Sequence, residues 1–329
     1  MKLATLKDGS RDGQLIVVAR DLKTACIANG IAPSLQAALD DWGFIAPQLE
    51  ALSLRLNAGR APNSFDFVAK NCMAPLPRAF QRVHAYAYPN HLALLHQAEQ
   101  TELPAGFLHE PLMYQGGSDA LLGPCDDIVL ASTDGGVDFE SGIAIITGDV
   151  AMGVKSQHAG EHIRLILLSN EVSLRDLMPA ESAKAAGFIH AKPATAFAPV
   201  ALTPDELGEA WKDGKLHLPL RSSLNQRLVG QPLAGVDLAF SFPQLITHLA
   251  KTRAVTAGSL IGSGPVSNKD AGKGYSCIAE KRALEQLATG SAVTPYMQFG
   301  DSIKIELFDK NGKSVFGAIE QSVVEAFSR

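Results

Sequence analysis

Between residues 128 and 308 the chain is cut into short runs rich in Val, Ile and Leu, each closed by Gly, Pro or Asp. That punctuation restricts the fold more than any other feature, because runs of this length between turn residues form strands. Residues 128–130, 137–147, 164–169, 217–224, 259–262 and 302–308 read as such strands. The clearest later helices are expected at 243–252 and 280–288, too few and too irregularly placed for the alternation of a parallel α/β barrel. The expected class is α+β, and strand-rich.

The opening residues have a different pattern. Segments 2–6 and 13–20 are apolar and flank Asp8-Gly9-Ser10-Arg11-Asp12-Gly13, a turn-rich stretch that predicts a hairpin. From Ser34, a suitable cap, Leu35, Ala38, Leu39, Trp42, Ile45, Leu49 and Leu52 recur at three- and four-residue intervals, predicting one or two amphipathic helices up to residue 57. Pro75 and Pro77 cannot continue a helix or a central strand, so the boundary is placed there: a small α+β domain over 1–74 and a large domain over 75–329. Residues 90–100 form one more helix, with Leu92, Leu95 and Ala98 on one side and His91 near its start.

A net charge of −5 with no block of like charges leaves no electrostatic footprint for a nucleic acid or an anionic membrane, so the expected partner is a small molecule. Cys26, Cys72, Cys125 and Cys277 are scattered without Cys-x-x-Cys spacing, which predicts reduced thiols rather than disulfides or a structural zinc. The first residues lack the apolar core of a signal peptide, and no apolar run approaches the roughly 18 residues that span a bilayer. A cytoplasmic protein is expected. Dinucleotide, Walker, nucleophile-elbow and His-Glu-x-x-His patterns are absent. Gly258, Gly262 and Gly264 are read as a backbone device in a turn, not as a phosphate cradle.

Five segments are distinctive as an ordered set: Pro111-Leu112-Met113-Tyr114-Gln115-Gly116-Gly117-Ser118, Val137-Asp138-Phe139-Glu140, Ser169-Asn170-Glu171-Val172-Ser173-Leu174-Arg175-Asp176, Ala191-Lys192-Pro193 and Gly262-Ser263-Gly264-Pro265-Val266-Ser267. From about Pro75 onward the chain resembles the fumarylacetoacetate hydrolase family. The resemblance implies a mixed β-roll with the small domain packed against it, and a homodimer. It implies hydrolysis of a carbon–carbon bond in a β-diketone or acylpyruvate-like metabolite; related members isomerise or decarboxylate. His91 matches the family's general base and Glu280 the acidic residue that orients it. Lys192 matches a lysine that contacts substrate oxygens, and Tyr114 and Pro265 fall on the substrate wall.

The same resemblance implies a divalent cation (Mg, Mn, Ca or Zn) held by four carboxylates, and here the chain departs from the pattern. His84 stands where an Asp is expected, Glu171 replaces another Asp, and Glu140-Ser141-Gly142 keeps only the first carboxylate of a Glu-x-Glu. The magnesium-type site is degraded. His84, Glu140 and Glu171 form a set that a softer ion accepts, with water filling the place of the side chain missing at Gly142; the alternative is no metal at all. On residue types alone, His84 is a packed or surface histidine, His91 caps a helix, Glu280 opens another and Lys192 is a surface cation. Pro265, in the place of a Thr, removes a hydroxyl and a backbone donor. These departures keep open a non-catalytic paralogue that binds a small ligand or a partner subunit.

Overall fold

The computed structural model describes residues 1–326. As the turn residues predict, β1 (Lys2–Leu6) and β2 (Gln14–Val18) form an antiparallel hairpin, which β3 (Thr24–Ile27) extends. Ser34 accepts a hydrogen bond from the Ala37 N–H and starts α1 (Leu35–Asp40). The chain leaves helical geometry at Asp41 and resumes as α2 (Trp42–Asn57), so the periodic stretch is two helices.

In chain order there follow β4 (Phe65–Asp66), β5 (Gln81–Ala85), α3 (Pro89–Glu99), β6 (Met113–Gly116), β7 (Ile128–Leu130), β8 (Val137–Asp138), β9 (Ser141–Thr147), α4 (Ser156–Ala159), β10 (Ile163–Asn170) and β11 (Ser173–Leu174). Next come α5 (Met178–Ser182), β12 (Ala196–Phe197), β13 (Ala201–Leu202), β14 (Trp211–Lys212), β15 (Lys215–Leu216), β16 (Leu220–Leu224), β17 (Arg227–Gly230), α6 (Phe242–Leu249), β18 (Ser259–Pro265), α7 (Ile278–Thr289), β19 (Ser302–Leu307) and β20 (Ile319–Glu325).

The main sheet runs β4-β3-β2-β1-β13-β10-β9-β18-β5-β6, with β12 beside β10, and a second sheet runs β17-β16-β19-β20-β7. The opening strands are continuous with the later ones, because Lys2 and Leu3 pair with Leu202 and Ala201. Alternation sends neighbouring side chains of a strand into two cores. Ile143, Ile145, Ile166 and Leu168 join Leu220, Ile303 and Phe242 on one side; Ala144, Ile146, Leu165 and Leu167 join Leu35, Leu39 and Leu49 of the two early helices on the other. With both faces covered, β9 and β18 are buried along their whole lengths, which explains their unbroken apolar or small-residue sequences. Each such Ile or Leu contributes about 1.5–3 kcal/mol.

Three strand expectations are adjusted. The run 137–147 is two strands, because the chain turns at Phe139 and Glu140 and β8 pairs with β11 instead of continuing into β9. The run at 217 begins its strand at Leu220. β18 extends to Pro265 through an irregularity between Gly262 and Pro265. All four cysteines are free. Among the described residues no helix is long and apolar enough to cross a membrane.

Candidate active site

His91 sits in the first turn of α3, after Pro89, whose missing N–H costs nothing at that position. Glu280 occupies the first turn of α7. The Asp138 carboxylate accepts the N–H groups of Ile278 and Ala279 at 2.6 and 3.0 Å, fixing the start of α7. Held in this way, Glu280 Oε1 lies 2.8 Å from His91 Nδ1, both side chains being buried. That contact leaves His91 Nε2 buried without a protein partner. Cys277 Sγ is 3.8 Å from Nδ1, and burial, then Glu280 and Asp138, push its thiol well above the usual range, so it stays protonated. His91 is not the cap of its helix, since Tyr88 holds that position, whereas Glu280 does open α7.

A second cluster lies where β5, β9 and β18 meet the β10–β11 connection. The Glu171 N–H donates to the Glu140 carbonyl at 2.9 Å and the Glu140 N–H to Asn170 Oδ1 at 3.1 Å, so backbone bonds set the two glutamates side by side. Glu140 Oε1 accepts from Lys192 Nζ at 2.8 Å and from the Ser173 hydroxyl at 2.6 Å, and Arg175 Nη2 stands 2.8 Å away. Burial alone would raise this carboxyl's pKa, but Lys192 and then Arg175 outweigh it and hold Glu140 well below the ordinary range. Lys192 is 6% exposed, not a surface cation. Its loop is tied down by Glu181, whose carboxylate accepts the N–H groups of Ile189, His190 and Ala191.

Glu171 is paired with Arg82, whose Nη1 lies 3.2 Å from Oε2, and touches His84 Nδ1 with the same oxygen. Burial pushes its carboxyl up, and His84 and Arg82 bring it below the ordinary value. His84 is fully buried; its Nδ1 is against Glu171 Oε2, while Nε2 has no hydrogen-bond partner and lies 3.8 Å from Glu140 Oε2. An aromatic wall adjoins it. The Tyr114 ring lies 5.0 Å from both His84 and Phe188, Tyr86 stacks 6.4 Å from His91, and Lys192 Nζ is 5.7 Å from the Tyr114 ring centre. The Tyr114 hydroxyl is buried without a partner.

Pro265 is in register with Gly142. A Cβ at Gly142 would meet the Gly264 carbonyl oxygen at 2.8 Å and Ser169 Oγ at 3.1 Å. Backbone of β18 thus stands directly against Gly142, where a side chain would begin.

The cluster offers His84, Glu140 and Glu171 as a group of donors within 4.8 Å of one another. Glu171 Oε2 is taken by Arg82 and His84, and Glu140 Oε1 by Lys192 and Ser173. The buried donor atoms still open to the same space are His84 Nε2 and Glu140 Oε2. Catalytic zinc uses three protein ligands, and magnesium or calcium six or more oxygens. As it stands, the donor set does not fit such a cation.

Residues 82–324 match the model of the fumarylacetoacetate (FAA) hydrolase C-terminal region, and residues 1–78 that of fumarylacetoacetase N-terminal domain 2. The chain belongs to the fumarylacetoacetate hydrolase family. An uncharacterized protein of Archaeoglobus fulgidus is 26% identical over 173 residues, 53% of this chain and 64% of that protein, so the match spans less than two thirds of that relative. Among solved structures, maleylpyruvate hydrolase from Sphingobium sp. SYK-6, in complex with manganese(II) and pyruvate, aligns with a TM-score of 0.64 at 17% identity, covering 99% of this chain and 100% of that one. The 2-hydroxyhepta-2,4-diene-1,7-dioate isomerase of Mycobacterium marinum aligns with a TM-score of 0.60 at 16% identity, covering both chains fully. At these identities the likeness establishes the fold. The neighbours are enzymes, hydrolases and isomerases alike.

Of the site residues expected from sequence, the structure brings His91 to Glu280, and Lys192, Glu140, Glu171, His84 and Tyr114 into one adjoining cluster. Arg82, Ser173, Arg175 and Asp138 also belong to it and were given no role by the sequence reading. One signal could have found Arg82: two residues before His84 on a strand, it must share that histidine's face.

Proposed function

We propose that the protein hydrolyses a carbon–carbon bond in an acylpyruvate-like or β-diketone metabolite. The observation that carries this reading is the buried His91–Glu280 pair, in which Nδ1 faces the carboxylate and Nε2 is left for a proton. Glu280 fixes the imidazole tautomer and stabilises its cation, as a water-activating base near neutral pH requires. His91 takes a proton from water, hydroxide adds to the acyl carbonyl, and the carbon–carbon electron pair leaves as the pyruvate enolate. His91 then returns the proton to the enolate carbon, giving a carboxylic acid and pyruvate. Lys192 has a third N–H beyond those given to Glu140 and Ser173, and it stabilises the enolate oxygen. Tyr114 lines the same wall.

The test is release of pyruvate from a series of acylpyruvates by wild type and by His91→Ala. Loss of activity only in the variant supports the assignment; an active His91→Ala removes His91 as the base. A non-catalytic paralogue is the second reading, favoured by the internal neutralisation of Glu140 and Glu171, and an inactive wild type across the series would select it. The protein is further proposed to be a cytoplasmic homodimer, the dimer to be checked by light scattering after size exclusion.

A further inference from the structure

We propose that Arg82 keeps this site closed to divalent cations, its guanidinium acting with Lys192 and Arg175 as a fixed replacement for the positive charge that an ion would bring. The inference is independent of the hydrolytic reading. Arg82 is 3% exposed and enters from β5 on the face of His84. Its Nε donates to the Gly117 carbonyl at 2.9 Å, which orients the guanidinium, and Nη1 reaches Glu171 Oε2 at 3.2 Å. Freeing Glu171 for a metal would leave that guanidinium buried without its counter-charge, a far larger cost than opening a surface pair.

Glu140 is engaged in the same way from the opposite side, by Lys192 and Arg175. Three carboxylates, Asp138, Glu140 and Glu171, meet three permanent cations, Arg82, Arg175 and Lys192. An arriving dication therefore finds little net negative charge to attract it. The place of a further carboxylate is closed independently, since the Gly264 carbonyl lies 2.8 Å from any Cβ at Gly142. What the network retains is positive charge fixed in a buried site, the arrangement that stabilises an oxyanion without reorganisation.

The experiment uses the full chain, stripped with EDTA and dialysed, then titrated with manganese chloride and zinc chloride by calorimetry and by thermal melting. Wild type is expected to bind neither ion more tightly than millimolar and to melt at the same temperature with and without them. Arg82→Met keeps the stem but releases Glu171, and it is expected to gain one equivalent of manganese with affinity improved by roughly tenfold or more and a melting point raised by several degrees. Micromolar binding of either ion by wild type would overturn the proposal. A folded Arg82→Met that gains no binding would remove the role assigned to Arg82. Should that variant not fold, Glu171→Gln decides beside wild type: unchanged, weak ion binding in both supports the proposal, and wild-type binding that the variant loses makes Glu171 a ligand and overturns it.

Discussion

The two halves of the site handle charge in opposite ways. Where α3 meets α7, one imidazole faces one carboxylate and keeps a buried nitrogen over, His91 Nε2. Where β5 meets the Glu140 turn and the β10–β11 connection, each carboxylate is already answered by a guanidinium, an ammonium or a hydroxyl. The first half is left able to move a proton; the second has its charge balanced within the protein. The two halves rest on different elements and share Asp138, which holds the start of α7 and pairs with Arg175.

The largest expected effect comes from breaking the balanced half. Arg175→Ala strips the buried Asp138 and Glu140 of a shared partner and is expected to cost about 3–5 kcal/mol in urea unfolding. A cost near that of an exposed pair, under about 1 kcal/mol, would show that water reaches these carboxylates. In the open half, His91→Ala should lower the rate of acylpyruvate hydrolysis on the order of 100-fold, measured on protein that circular dichroism shows to be folded. Glu280→Gln, which keeps a hydrogen-bonding side chain, should lower it less; equal losses would mean that the charge of Glu280, not its hydrogen bond, is decisive.

Gly142→Glu sharpens the comparison from another side. The new side chain must displace the Gly264 backbone, so a loss of about 1–3 kcal/mol is expected, with no gain in magnesium affinity by calorimetry. A stable variant that binds magnesium tightly would show that β18 yields. The smallest effect is in acid. Glu140 and Glu171 have folded-state pKa values below the ordinary 4.5, so their contribution is fully present above about pH 4.5 and is lost as pH falls through the lower folded values. Glu140→Gln should therefore flatten the acid limb of a fluorescence-monitored unfolding curve; an unchanged limb would place the stabilising charge elsewhere.

Much of this arrangement was legible in the sequence, and the limits have physical causes. Turn residues and apolar periodicity located the opening hairpin, both early helices, α3 and the buried strands, because those signals are local. The family resemblance, carried by the ordered motifs, pointed to His91, Glu280, Lys192, Glu140, Glu171 and His84 as one site. Local pattern could not show that the chain turns at Glu140, nor that β18 bulges onto Gly142, since both depend on pairing between distant strands. Arg82 was missed for a related reason: its partner lies 89 residues away in sequence, and an isolated arginine on a short strand ordinarily faces solvent.

The His91–Glu280 pair is proposed to work beside fixed protein cations and without an exchangeable one. This proposal is tested most directly by the initial rate of pyruvate release from an acylpyruvate by EDTA-stripped protein, measured before and after manganese is restored, with His91→Ala alongside. The same wild-type rate is expected in both conditions, with loss of that rate in His91→Ala. A stripped protein that is inert until manganese is added, with activity then rising in proportion to bound ion, would contradict the proposal.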